Sequence, residues 1–308
     1  MRIVLAGSSG FLGTALDDQL RRAGHHTVRL VRRRPAAAGE ASWDPAAGTL
    51  DPAVLAGADA VVNLAGAGVG DHRWTPAYKA TIRSSRVDTT RTVAAALAAL
   101  PPDARPGVLL NASAVGWYGD TGDTVVDEAA PRGDGFLAEV CRDWEAAARP
   151  AADAGVRTCL LRTGLPLHRD GGLLKPQLLP YRLGLGGPFG GGRQWLPWIS
   201  LHDWLRAVLH LLADAAVAGP VNVVGPAPVR NRDFTRALAA ALHRPAVWPV
   251  PGVALRLLLG EFAVEALRSV RAVPGALAAA GFVFVHPRLD AALAAALREP
   301  TTFAPVAR

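Results

Sequence analysis

Apolar residues along this chain come in short solid runs, separated by longer stretches in which they recur every three or four positions. Arg2 to Ala6 is such a run, and Phe11 to Ala23 carries leucines at 12, 16 and 20, so a buried strand is followed by an amphipathic helix that stops at Gly24. The same alternation predicts strands at His26 to Val31, Ala58 to Leu64, Gly107 to Ala112 and Val156 to Leu161. Helices are predicted at about Pro76 to Leu100, at Gly135 to Ala154 and from near Asp203. Apolar strands alternating with helices imply an α/β fold, a doubly wound parallel sheet of Rossmann type covered on both faces. From Gly164 the texture changes. Residues 184–192, GLGGPFGGG, predict a tight loop, and Pro245, Pro249 and Pro251 precede two apolar helical patterns that read as a smaller, mainly helical C-terminal cap. The expected division is a Rossmann-type domain over 1–165 with returning segments from about 196–225, and a mixed substrate-side region and cap over 166–308.

Gly7, Gly10 and Gly13 lie between the first strand and the first helix. A dinucleotide-binding turn needs glycine three times: to bend the backbone, to let a pyrophosphate approach, and to let helix and strand pack. The helix N-terminus, with Phe11 and Leu12, then offers free N–H groups to the phosphates. At the end of the second strand, after Val31, an NAD-binding fold usually carries a carboxylate for the ribose hydroxyl. This chain has Arg32 there. A guanidinium pairs with a 2′-phosphate that a carboxylate would repel, so the expected cofactor is NADP(H).

Composition narrows the classes. The chain has 308 residues, half of them hydrophobic, which is enough for a full core and argues against disorder. No uninterrupted apolar stretch reaches about 18 residues, and a strand directly follows Arg2, so neither a membrane partner nor a secretory leader is expected and the location reads as cytoplasmic. The net charge of +7 comes from scattered arginines without a recognition motif, so nucleic acid is not an expected partner. Cys141 and Cys159 have no metal-ligand spacing, and no metal site is expected.

Further segments extend the pattern: Asn63-Leu64-Ala65-Gly66, Ile82-Arg83-Ser84-Ser85-Arg86, Ser113 to Gly119, Trp144-Glu145, Leu161-Arg162-Thr163-Gly164, the loop 184–192 with Gln194, Trp198-Ile199, Asp203, Gly219-Pro220-Val221-Asn222 and Gly281-Phe282. In this order they resemble the extended short-chain dehydrogenase/reductase superfamily, and within it an atypical NAD(P)-dependent epimerase/dehydratase-like family with an additional C-terminal domain. The resemblance implies a nucleotide across the C-terminal ends of the strands, met by Leu64, Ala65 and Gly66, by Arg86 and Thr81 from the long helix, and by Leu165 on the nicotinamide side. It implies a small polar substrate, with a nucleotide sugar as one candidate, and a monomer or homodimer.

Extended members commonly use a Ser/Thr, a Tyr and a Lys four residues after that Tyr, the lysine lowering the tyrosine pKa for acid/base work. This chain lacks the pair. With Trp144-Glu145 as the anchor, the Tyr and Lys positions fall on Leu137 and Cys141; aligning Tyr118-Gly119 with the Tyr-Gly that follows the fifth strand in such members places Ala114 at the hydroxyl position, with Ser113 one step away. Two readings stay open: an oxidoreductase or epimerase-like enzyme in which Tyr118 or Ser113 is the proton donor or carbonyl polariser, with Lys79, His202 or water helping, and a non-catalytic NADP(H)-binding regulator or sensor.

Overall fold

The computed structural model describes residues 1–246 and 248–298. In chain order the strands and helices of the first half are β1 (Arg2–Ala6), α1 (Phe11–Arg22), β2 (His26–Val31), β3 (Glu40–Ser42), β4 (Ala60–Asn63), α2 (Pro76–Ala98), β5 (Val108–Ala114), β6 (Val125–Val126), α3 (Phe136–Ala147) and α4 (Arg149–Asp153). There follow β7 (Arg157–Thr163), β8 (Leu165–His168), β9 (Gly171–Gly172), α5 (Lys175–Arg182), β10 (Trp195–Leu196), β11 (Trp198–Ser200), α6 (Leu201–Ala213), β12 (Gly219–Val223) and β13 (Val229–Arg230). The last third holds α7 (Asn231–Leu242), α8 (Gly252–Leu259), α9 (Ala263–Leu267), β14 (Arg271–Ala272), α10 (Gly275–Ala279) and α11 (Leu289–Arg298).

Seven strands form one parallel sheet in the order β12-β7-β5-β4-β1-β2-β3. The chain leaves β1 towards β2 and then returns to the other side of β1 as β4. That reversal opens a crevice beyond the carboxyl ends of β1 and β4, where ligands bind in such sheets.

Alternation within the strands divides the core. Ile3 and Leu5 face Leu16 and Leu20 of α1 and Trp204, Leu205 and Val208 of α6, whereas Val4 and Ala6 face Val93 and Leu97 of α2. Leu277 of α10 and Phe282 join the first of these clusters, so the C-terminal segment reaches into the central core. Asp203, in the first turn of α6, accepts hydrogen bonds from the backbone N–H groups of Val285 (2.8 Å) and His286 (2.9 Å) and anchors that segment.

Local signals account for the element ends. Thr75 caps α2 by accepting the Tyr78 N–H (3.1 Å), with Pro76 at the first helical position. Ser200 caps α6 through the Asp203 N–H (3.0 Å). The single helix expected over 135–154 is two: Pro150 has no N–H to continue the α3 ladder, and the chain restarts as α4.

Candidate functional site

The glycine turn sits against the end of β4. Gly7 has φ +81°, and a Cβ there would lie 2.6 Å from the Leu64 carbonyl carbon and 2.7 Å from the Ala65 nitrogen. A Cβ on Gly13 would lie 2.1 Å from the Gly7 carbonyl oxygen. Both glycines are therefore required by packing. Gly10 differs: its Cβ would meet only the Gly7 oxygen, at an ordinary 3.5 Å, so the fold itself leaves this face of the turn open. The open face adjoins the first N–H groups of α1, from Phe11, Leu12 and Gly13, which have no acceptor within the helix. The Phe11 ring turns aside and packs on Gly171 and His168, leaving its backbone to face the crevice.

Val31 closes β2, and its carbonyl accepts the Trp43 N–H (3.1 Å). The three arginines that follow have different fates. Arg33 binds both carboxylate oxygens of Glu40 (2.7 and 2.8 Å), and Arg29 adds a third contact (3.0 Å). The Glu40 side chain is only 3 % exposed, and its hydrogen bonds to Arg33 and to the Ala36 N–H hold its pKa down to about 2. Arg32 is exposed, and among the described residues no carboxylate lies within ion-pair distance of it.

On the other side of the crevice, Arg86 packs its side chain on Gly66, donates to the Ile82 carbonyl (2.9 Å), and lies 5.1 Å from the Trp144 ring centroid. Burial lowers its pKa. Among the described residues no carboxylate lies within ion-pair distance of it, so a half-buried cation stands beside the crevice without a direct ion pair. Thr81, one turn earlier, is exposed and donates to the Ala77 carbonyl (3.1 Å). Leu165 opens β8, its N–H bonded to the Pro197 carbonyl (2.8 Å).

Sequence reasoning assigned no role to the polar cluster that ties β4 to β5. Asn63 donates to Thr90 (3.0 Å) and Asn111 (2.8 Å) and accepts the Ala65 N–H (3.2 Å), while Trp144 donates to Thr90 (2.9 Å). This cluster fixes the backbone that meets Gly7. Its only sequence signal was an asparagine in each of two apolar strands, Asn63 at the end of β4 and Asn111 in the middle of β5, which the parallel register sets side by side.

Ala114, Leu137 and Cys141 come together beyond β5. The Cys141 sulfur approaches the Ala114 carbonyl (3.6 Å), and a Cβ on Gly116 would touch the Leu137 Cβ (3.3 Å) and the Cys141 sulfur (3.7 Å). Burial pushes the Cys141 thiol up to about 12, so it stays protonated at neutral pH. This wall offers no acid or base able to exchange a proton near neutral pH.

Ser113 and Tyr118 point elsewhere, into one buried network. Ser113 donates to Glu145 (2.6 Å), which binds Arg162 through both oxygens (2.9 and 3.0 Å). Arg162 donates to the Tyr118 hydroxyl (3.1 Å), which donates to Asn222 (2.6 Å). Tyr118 is 3 % exposed, and burial raises its pKa. The Arg162 guanidinium stacks 4.1 Å from the Trp117 ring centroid.

The crevice is covered by residues 257–262. Arg73 donates to the Leu257 carbonyl (2.8 Å), Lys79 pairs with Glu261 (2.6 Å), and Phe262 packs on Trp74 (5.5 Å between centroids). Lys79 lies 4.7 Å from the Phe136 centroid. His202 lies apart from this cover, stacked edge-on against His286 near the α6 cap (5.5 Å). Among the described residues no group of His, Cys, Asp and Glu could hold a metal, and no helix is long and apolar enough to cross a membrane.

A family model described as the NAD dependent epimerase/dehydratase family matches residues 3–225. The chain belongs to that family. A second model, a domain of unknown function (DUF1731), matches residues 250–296. Among epimerase/dehydratase-family relatives, the epimerase family protein Mb2239 of Mycobacterium bovis is 46% identical over 299 residues, covering 97% of this chain and 98% of its own. SDR39U1 of Bos taurus is 39% identical over 298 residues, covering 95% and 98%. The crystal structure of human SDR39U1 (isoform2) with NADPH superposes with a TM-score of 0.87 at 34% identity, covering 96% of this chain and 99% of that one. A nucleoside-diphosphate sugar epimerase from Corynebacterium glutamicum superposes with a TM-score of 0.78 at 37% identity, over 96% of this chain and 58% of that one. The epimerase/dehydratase family fold, with its parallel sheet and C-terminal helical region, is thus common to this chain and these relatives.

Proposed function

We propose that this chain binds NADP(H) across the carboxyl ends of β1 and β4 and is an oxidoreductase acting on a small molecule enclosed beneath residues 257–262. The observation that carries the cofactor reading is the separation of the arginines after β2. Glu40 engages Arg29 and Arg33 and leaves Arg32 without a carboxylate, where a 2′-phosphate would give it one. Gly7, Gly10, Gly13 and the N–H groups of Phe11 and Leu12 receive the pyrophosphate, with Val31, Leu64, Ala65 and Gly66 lining the nucleotide. Arg86 supplies a second positive group, Thr81 a polar one, and Leu165 flanks the nicotinamide. The human relative that crystallised with NADPH supports the same choice.

Bound NADP(H) supplies a hydride donor or acceptor. The protein orients it and keeps water from the apolar wall of Ala114, Leu137 and Cys141. Ser113 and Tyr118 act as positioning residues in this reading, because both hydroxyls are committed to the Glu145–Arg162 network. The substrate is therefore one whose proton does not come from a Tyr–Lys pair. A second reading, a non-catalytic NADP(H)-responsive protein, is favoured by the same wall.

Parallel fluorescence titrations with NADPH and NADH test the cofactor, and oxidation of NADPH against a panel of small carbonyl compounds tests the chemistry. Selective NADPH binding with turnover supports the enzyme, selective binding without turnover supports the second reading, and no saturable binding of either nucleotide refutes both.

A further inference from the structure

The side of the molecule next to the covered crevice carries large apolar residues in water. Leu179, Leu183 and Leu185 on and after α5, Trp248, and Val253, Leu257 and Leu258 of α8 are each at least 63% exposed. These segments adjoin one another. Arg244 donates to the Arg182 carbonyl (3.1 Å), a Cβ on Gly184 would touch Pro245 (3.8 Å), Gly187 packs on the Trp248 carbonyl, and Phe189 bridges to Val250 just before α8.

The two stretches that build this face carry charge of one sign. No acidic residue occurs over 171–202 or 234–260, whereas Lys175, Arg182, Arg244 and Arg256 are all exposed there. Among the described residues none of the four has a carboxylate within ion-pair distance. Glu261, the first acidic residue after Arg256, is occupied by Lys79.

We propose that this face docks on an anionic lipid surface. Leucines and a tryptophan rimmed by lysine and arginine suit the boundary between headgroups and acyl chains, where the apolar tips leave water and the cations meet lipid phosphates. A second copy of the chain fits less well, because a twofold contact would bring Arg182, Arg244 and Arg256 against their own counterparts without a carboxylate between them. The sequence-based expectation of no membrane partner considered only spanning segments, and this surface spans nothing. Docking here sets the cover of the crevice, through Leu257, beside the lipid.

The test is flotation of the full chain with vesicles of equal phosphatidylglycerol and phosphatidylcholine, against phosphatidylcholine alone. The protein is expected to float with the anionic vesicles, less so at high salt. Leu257→Ser/Leu258→Ser and, separately, Trp248→Ser are expected to weaken partitioning at least about tenfold, with unchanged melting curves. Arg182→Glu/Arg256→Glu is expected to weaken binding to the anionic vesicles by a similar factor. The proposal is overturned by absence of flotation, by apolar variants that float as well as the parent, which would reduce the effect to bulk charge, or by a dimer in light scattering that the leucine substitutions dissolve.

Discussion

The pair of Glu145 and Arg162 makes a quantitative prediction, because among the described residues each is the other's only ion-pair partner in a buried site. Their side chains are 8% and 4% exposed and share two hydrogen bonds. Glu145→Leu would leave the Arg162 cation buried beneath Trp117 with the Tyr118 hydroxyl and the Glu128 carbonyl as its remaining acceptors among the described residues. Breaking a buried pair from one side costs about 3–5 kcal/mol, and Arg162→Met, which strands the carboxylate, belongs in the same range. Replacing both removes the unpaired charge. What remains is a Ser113 hydroxyl without its acceptor and a Tyr118 hydroxyl with one partner fewer, a loss of about 1–3 kcal/mol. The double variant should therefore be more stable than either single variant, and the cycle non-additive by at least about 3 kcal/mol. Urea midpoints at constant slope give all four stabilities. Additivity within about 0.5 kcal/mol would refute the claim that this network is a closed charge pair, and with it the assignment of Ser113 and Tyr118 to positioning.

Four further outcomes are expected. Gly10→Ala should leave stability within about 1 kcal/mol while weakening NADPH binding, and Gly13→Ala should lose both, since its Cβ would strike the Gly7 oxygen; thermal melts alongside nucleotide titrations separate the two. Arg32→Glu should weaken NADPH binding far more than NADH binding, with Arg33→Ala leaving that preference intact. In an NMR titration the Glu40 carboxyl should change near pH 2, so the stability it confers is present above the ordinary glutamate range and lost as pH falls through about 2, and Arg33→Ala should move that midpoint up. Neither Cys141 nor Cys159 should react with a thiol reagent at pH 8 in the native protein, and both should react in urea; burial raises both thiols.

The glycine turn and the strands around it were legible because each of those residues does a local job: Gly7 and Gly13 answer to sterics within a few residues, and β1, β4 and β5 are solid apolar runs. The three residues that the sequence sets at the Tyr, Lys and hydroxyl positions, Leu137, Cys141 and Ala114, are neighbours in the fold. What stayed illegible depends on distant partners. β3 is three residues long and exists because Glu40 is drawn to Arg29 and Arg33. The Lys79–Glu261 pair joins residues 182 positions apart, and no local pattern foretells it. The destinations of Ser113 and Tyr118 turned on Glu145, Arg162 and Asn222, which the chain presents as three unrelated motifs.

Leu277 and Phe282 lie within the stretch that matches its own family model, yet they fill the core beneath the nucleotide-binding sheet. Ancestry and folding therefore draw the border in different places. A chain cut at residue 249 would not yield a smaller, self-sufficient nucleotide domain. It would open a hole against α6 and β12, leave the Asp203 carboxylate without the N–H groups of Val285 and His286, and remove the Ala276 N–H that binds Glu128 (3.0 Å). What reads as an appendage by descent is structurally a keystone, and the two segments should melt in a single transition.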